Sequence, residues 1–467
     1  MSQTTTGVTL NPADPGSWAA VPFEKLFSLS RAEVEEAQRA AFIRRFDSLR
    51  PRLDALGKLA ARQSVDRVES IDDSIPVFFD HRVLKSYPLS LIEKGQYERL
   101  TAWLQRLTTH DLSGIPLDGV DSLDSWIDRL EDHGMIIGHS TGTTGKLSFI
   151  PRSQTEWPAW KNAYFELLRA LTGVDFRTET IPYFTASYRK GHQMAVKMQY
   201  LFACAQAGGD ENRNALYDHA ISADLLSLMG RYQAAEARGE LDTLQISPRL
   251  LEQRADLIAA SRNRDEDLEL WFTKLAEEHK GQRVRIGGGF ADLTRLAVKA
   301  AEKGFRCEFA PDSILIGGGG MKGYKDAPPD WEHCVTDFLG IERMHSHYGM
   351  SEIMGNNPLC EKGFFHVFPF TAPIVLDEDF VAVPREGVQT GRLALFDFLA
   401  ETYWGGFISG DRVTVHWDDD CGCGWPNPRI ERQVVRFSEL EGVTDDKLTC
   451  AGTVKAYSDF MDYVGTI

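Results

Sequence analysis

The chain has 467 residues, enough for two or three domains or for one large domain with an appendage. Hydrophobic residues make up 43% and charged residues 25%, the balance of a protein that buries a full core, which excludes a disordered or coiled-coil chain. A formal charge of −17 speaks against nucleic acid or an anionic membrane as the main partner, whereas a small anion needs only local donors.

Residues 1–20 are polar, lack basic residues and hold no apolar run of signal-peptide length. No later stretch approaches the ~20 apolar residues that span a bilayer, so a cytoplasmic setting is expected. Seven scattered cysteines fit reduced thiols better than a disulfide framework there. From Val21 to about Leu130 the pattern is mostly helical. Residues 31–50 space apolar positions three and four apart among charges, and a turn at Pro88 precedes a further helical stretch. The chain turns strand-like at MIIGHS and enters a Gly/Thr loop, while 210–282 reads as a charged, helical surface insertion. RVRIGGGF and SILIGGGG follow as strands around an amphipathic helix from Asp292 to Lys303. That βαβ alternation predicts a parallel or mixed sheet covered by helices. From about His366 the chain reads as short strands: RLALFDF, DRVTVHW and RQVVRF. The expected fold is α/β, with a helical segment over 1–130, an α/β core over 131–365 and a β-rich subdomain with its tail over 366–467.

GHSTGTTGKLSFIPRS, Gly138–Ser153, carries the strongest chemical signal. Gly142 and Gly145 let backbone N–H groups approach an anion, and the hydroxyls of Ser140, Thr141, Thr143 and Thr144 with the ammonium of Lys146 add donors. This is the chemistry of a phosphate cradle, against the plain alternative of a turn after a strand. A P-loop is excluded, because Ser140 stands where its first glycine belongs and Leu147 follows Lys146. Gly318, Gly320 and Gly323 in SILIGGGGMKGY match a dinucleotide fingerprint, with Glu342 at about the place of a ribose-binding acid. That fingerprint needs a helix opening at its third glycine, and Pro328-Pro329 would break one almost at once.

STGTTGK resembles the phosphate loop of the adenylate-forming superfamily of acyl-CoA synthetases, nonribosomal adenylation domains and luciferases. Two more segments follow in the family's order. SHYGMSE, Ser346–Glu352, is similar to its Tyr-Gly-x-Thr-Glu segment, and ISGDRV, Ile408–Val413, to the Gly-Asp segment that closes the large domain. The resemblance implies that Ser140–Lys146 hold the phosphates of ATP and that Gly318 and Gly319 lie beside adenine. Within the second segment, around Gly349, it implies that Tyr348 stacks on adenine, Ser351 contacts phosphate and Glu352 binds Mg²⁺. Asp411 would accept from the ribose hydroxyls. An aromatic face, a metal-binding carboxylate and a diol-reading Asp suit those tasks, while a core Tyr348 and a turn Asp411 are the bland alternatives.

The tetraglycine with Met321-Lys322 looks most like the branch of phenylacetate–CoA ligases and bioluminescence acyl-protein synthetases. Cys360 and His366 lie six apart, and Cys421-Gly-Cys423-Gly follows some 55 residues later. Cys and His are tetrahedral zinc ligands, and some members of the branch carry a similar pattern around a structural zinc, against the bland alternative of four ordinary reduced side chains. His345, His347 and His192 are candidates to border the acid pocket or to be satisfied core histidines. The family's synthetases carry a mobile C-terminal domain of roughly a hundred residues with an assisting lysine. Here 56 residues follow Asp411, with Asp445-Asp446-Lys447 in the place of the hinge. A reduced mobile domain is therefore expected, with Lys322, then Lys146, as the substitute catalytic cation and Cys450 as a candidate acyl-carrying thiol. The expected reaction joins a small carboxylic acid to ATP as acyl-AMP and passes the acyl group to a thiol or amine, on an acceptor or partner protein. A CoA ligase proper and a non-catalytic nucleotide-binding regulator are the rivals.

Overall fold

The computed structural model describes residues 7–140, 146–239, 266–321, 324 and 326–440. Helices fill the first part. Ser30 opens the Arg31–Leu49 helix with a capping box: its Oγ accepts from Glu33 N at 3.3 Å, and Glu33 Oε2 accepts from Ser30 N at 2.8 Å. Ala37, Ala41, Phe42, Phe46 and Leu49 recur at helical spacing and are all buried. Shorter helices at Asp54–Arg62, Tyr97–Gln105 and Leu123–Glu131 follow, interrupted by strand β1 (Phe79–Asp80).

Strands β2 (Met135–His139) and β3 (Phe149–Ser153) form an antiparallel hairpin around the Gly/Thr loop. The helix Trp157–Thr172 leads to β4 (Tyr183–Gly191), helix Met194–Ala205 to β5 (Arg213–Ile221), and helix Ala223–Arg238 lies on the way to β6 (Arg285–Gly289). Helix Phe290–Glu302 then connects to β7 (Ile314–Gly318), and helix Trp331–Leu339 to β8 (Met344–Tyr348), with the short β9 (Asn357–Pro358) beside it. These strands form one sheet in the order β5-β4-β6-β7-β8-β9, parallel except for β9. The parallel part is doubly wound. The chain adds β5 on one side of β4 and returns to the other side for β6, and such a reversal opens a crevice at the strands' carboxyl ends.

The remaining strands are β10 (Phe364–His366), β11 (Thr371–Leu376), β12 (Val388–Asp397), β13 (Gly406–His416), β14 (Arg429–Glu431) and β15 (Val435–Arg436). They make a seven-stranded sheet with β1, which pairs parallel to β13 at Phe79↔Phe407. The N-terminal helices and this C-terminal sheet share one core, in which Phe42 meets Phe396 at 4.8 Å and Trp404 at 5.9 Å.

The stretch 210–282 differs from the helical surface insertion expected of it. It supplies β5 to the edge of the parallel sheet, and Phe272, Leu275 and Ala276 from its last part are buried in the core beneath that sheet. The charges that suggested a surface insertion include Asp210, Arg213 and Asp218, which pair around the strand: Arg213 Nε lies 2.7 Å from Asp210 Oδ1, and Arg189 of β4 pairs with Asp210 and Asp218. A dinucleotide site at the tetraglycine also lacks its helix: the next described helix begins at Trp331, beyond Pro328-Pro329.

Candidate active site

The hairpin stem is closed by Ser140, whose N–H donates to Ser148 O at 3.0 Å and whose Oγ accepts from Ser148 N at 3.0 Å. Thr141, Gly142, Thr143, Thr144 and Gly145 lie outside the described residues, as do Lys322 and Cys450. Lys146 is docked against the 85–87 segment: Nζ donates to Tyr87 O at 2.6 Å and lies 5.2 Å over the Tyr87 ring. Burial, then the nearby Lys85 charge, lowers its pKa.

The structure brings the three separated motifs together. Tyr348 ends β8, is buried, and donates its hydroxyl to Asp411 Oδ2 at 2.7 Å. Asp411 reaches it through a bulge in β13. The register with β12 runs Arg392↔Arg412 and then Ala394↔Ile408, so Ser409, Gly410 and Asp411 stand opposite Leu393 alone. Ser409 Oγ donates to Leu393 O at 2.7 Å and accepts from Asp411 N at 3.1 Å, which secures the irregularity. A bulge of this kind bends the strand and re-aims a side chain. Burial and the adjacent Asp411 carboxylate hold the Tyr348 phenol well above its ordinary pKa, so it acts as a neutral donor.

Arg152, in β3, joins the hairpin to the Tyr348–Glu352 segment. It is fully buried, its Nη2 donates to Ser351 O at 2.7 Å, and its guanidinium lies 4.1 Å over Trp160. Burial raises the Glu352 carboxyl above the usual range, and the charges of Arg152 and Arg436 oppose that rise. Glu352 also borders a crevice with Phe79, Ile150, Tyr403 and Phe407. A Cβ at Gly349 would overlap Asn356 Oδ1, so any larger residue there has to displace the Asn356 side chain. Arg152 falls within the loop motif, and its only local signal is a basic residue directly after the apolar FIP of its strand.

Gly318 and Gly319 sit at the carboxyl end of β7, and His347 lies beside Gly318. Burial lowers both His345 and His347 to about 4, so both rings are neutral at pH 7. His192 is engaged elsewhere, with Nε2 3.1 Å from Asp128 Oδ1, and its carbonyl accepts from His139 N at 3.0 Å.

A second cluster lies at the edge of the C-terminal sheet. One ligand atom from each of Cys360, His366, Cys421 and Cys423 lies within 4.8 Å of the others. His366 Nε2 is 3.4 Å from Cys421 Sγ and 3.3 Å from Cys423 Sγ. Its Nδ1 lies 2.6 Å from Pro426 O, the hydrogen bond that leaves the Nε2 lone pair facing the thiols. Gly422 at φ 71° and Gly424 at φ 84° let the chain wrap the two cysteines, a conformation costly for other residues. Trp425 N donates to Cys423 Sγ at 3.4 Å, a hydrogen bond that steadies a thiolate. Four soft ligands in this compass suit a tetrahedral cation.

No family model matches the chain, and no curated protein does. Among solved structures it is similar to a 2-hydroxyisobutyryl-CoA ligase in an open conformation with 2-HIB-AMP and CoA, at 12% identity and a TM-score of 0.49, over 89% of this chain and 72% of that one. It is also similar to ATP-bound MatB from Rhodopseudomonas palustris, at 13% identity and a TM-score of 0.33, over 66% of this chain and 53% of that one. The amide bond synthetase McbA from Marinactinospora thermotolerans matches at 14% identity and a TM-score of 0.32, over 64% of this chain and 50% of that one. The matches thus span about half the length of MatB and of McbA. At TM-scores below 0.5 these likenesses assign no activity to this chain. No helix among the described residues is long and apolar enough to cross a membrane.

Proposed function

We propose that the chain activates a carboxylic acid as an acyl-adenylate at the expense of ATP and passes the acyl group to a thiol or amine. The observation that carries this reading is the convergence of three motifs far apart in sequence: Arg152 holds the Ser351 carbonyl, and Tyr348 holds Asp411. In the reaction a carboxylate oxygen attacks the α-phosphorus, the bond to the β-phosphate oxygen breaks, and pyrophosphate leaves. Glu352 would hold the Mg²⁺, which draws phosphate charge when bound. Asp411 accepts from the ribose diol, Tyr348 offers its ring to adenine, and the Ser140–Lys146 loop with Ser351 binds phosphate oxygens. The cation against the attacking carboxylate is assigned to Lys322, which follows the tetraglycine at the end of β7, where loops of an α/β sheet gather around ligands. Cys360, His366, Cys421 and Cys423 would hold a structural zinc, since four protein ligands leave no open position for a substrate.

Acid-dependent ATP–pyrophosphate exchange over a panel of carboxylic acids tests the reading. Glu352→Gln should lower exchange at least ~100-fold with the melting temperature unchanged. Full exchange in that variant, or none with any acid in the wild type, would overturn it.

A further inference from the structure

One face of the parallel sheet packs against the helices Trp157–Thr172 and Met194–Ala205. On that side, besides Gln206 Nε2 and Arg285 Nε toward the strands' amino ends, four buried polar atoms nearer the carboxyl ends have no hydrogen-bond partner among the described residues: Thr185 Oγ1, Gln199 Oε1, His345 Nδ1 and His347 Nδ1. Such atoms are rare in folded proteins, and each costs about 1–3 kcal/mol when left dry. Their grouping follows from the strand register. Thr185↔Gly287, Gly287↔Ile316 and Ile316↔His345 make one row across β4, β6, β7 and β8. Nearer the carboxyl ends, Gly289 pairs with Gly318, and His347 lies two residues beyond His345 and so on the same face.

Gln199 approaches this row from the covering helix. Gln199, Phe202 and Gln206 recur at spacings of three and four and share one stripe. Phe202 stacks on Tyr164 at 3.7 Å, and Gln206 Oε1 accepts from Arg285 Nη1 at 2.8 Å. Arg285 lies two residues before Gly287, on the same sheet face, so the stripe that carries Gln199 looks onto the row that holds Thr185 and His345. In that row Ile316 fills one place and the Tyr183 ring covers Gly287, but two residues nearer the carboxyl ends, at Gly289 and Gly318, the floor is bare among the described residues. A Cβ on Gly318 would meet only the His347 ring within 4 Å, at 3.5 Å, and one on Gly289 only Asp292 Oδ2, at 3.4 Å. This bare floor adjoins the crevice where the strand order reverses between β4 and β6.

Resting on the acid-activation reading, we infer that this glycine-floored site receives the body of the acid, and that the acid carries hydroxyl or amino groups rather than a plain hydrocarbon chain. The Gln199 amide can offer its carbonyl or, turned over, its NH2, so the ligand has to bring a polar group to meet it. Thr185 and the imidazoles can donate or accept, and with their pKa values near 4 the two histidines do so without charge at pH 7. A hydrocarbon chain in the same place would leave all four atoms unsatisfied. A site built around hydrogen bonds rejects the analogue that lacks them far more strongly than an apolar pocket rejects a missing methylene.

The test is calorimetric binding to the full chain, without nucleotide, of matched acids: benzoate against 4-hydroxybenzoate and 4-aminobenzoate, and hexanoate against 6-hydroxyhexanoate. The hydroxyl- or amino-bearing member of at least one set should bind at least about tenfold more tightly. Gln199→Leu and Thr185→Val should each narrow that ratio to about threefold or less while the melting temperature holds. If buried Thr185→Val fails to fold, half-buried Gln199→Leu decides. Hydrocarbon members that bind as well, a preference that survives Gln199→Leu, or no binding by any acid would overturn the inference. Because no ATP is present, the result separates from pyrophosphate exchange. Selective binding without exchange sinks the activation reading alone, and exchange with plain fatty acids sinks this inference alone.

Discussion

Arg152 and His139 are single side chains whose burial fixes their chemistry. Arg152 occupies a strand in which all five residues are buried, and its donors go to Ser351 O, Tyr403 Oη and Met194 Sδ, partners from three distant parts of the chain. Local sequence cannot announce such a residue, because an exposed arginine in the same strand would read identically. His139 ends β2 with no exposure; its Nδ1 lies 2.7 Å from Ser140 O, and Nε2 has no partner among the described residues. Burial lowers its pKa from 6.5 to about 4. The folded chain therefore keeps this ring neutral at a pH where the unfolded chain already protonates it. The neutral ring's full contribution is present above pH 6.5 and is lost as the pH falls toward 4. Buried Glu156 and Asp397, raised by burial, act with the opposite sign, so a difference measurement is needed. Compared with His139→Gln in urea titrations, the wild type should lose about 2–3 kcal/mol more between pH 7 and 4.5. A difference that stays constant with pH would contradict the burial argument.

Among the elements, the Cys-Gly-Cys-Gly turn and the β13 bulge were legible to different degrees. Cysteines flanked by glycines, with a Cys/His pair upstream, mark a candidate metal turn from composition and spacing, and the four side chains do meet. Purified protein should carry about one zinc per chain, and Cys421→Ser should remove it and lower the melting temperature by roughly 5 °C or more. Metal-free protein with the wild-type melting temperature would rule the zinc out. The bulge was harder to foresee. Gly410 in a strand pattern hints at one, but which residues stand unpaired depends on where β12 resumes its register, a contact between segments. The same limit applies to β5. Its polar residues Arg213 and Asp218 read as a solvated helix, and they become a strand because β4 offers a parallel edge and Arg189 pairs with Asp218 and Asp210.

Across the whole molecule, the N-terminal helices and the C-terminal sheet depend on each other. Phe42 is fully buried against Phe396, Phe78 and Trp404, and β1 adds a parallel strand beside β13. Phe42→Ala should cost about 3–5 kcal/mol and, on the proposed reading, weaken ATP binding as well, because it loosens the sheet that positions Asp411. A loss under about 1 kcal/mol in chemical denaturation would show that the two parts are not one core. By itself the sequence determined the α/β class, the helical periodicity of the first part, the alternation around β6 and β7, and the residue types of the three motifs and the cysteine cluster. Those features depend on local spacing and side-chain chemistry, which the chain carries wherever it folds. Only the tertiary structure decided that Arg152 is a buried clamp, that Tyr348 and Asp411 share a hydrogen bond, and that residues 213–221 form an edge strand. Each of these depends on a partner more than a dozen residues away, and a strand or a buried charge is stable only once that partner is in place.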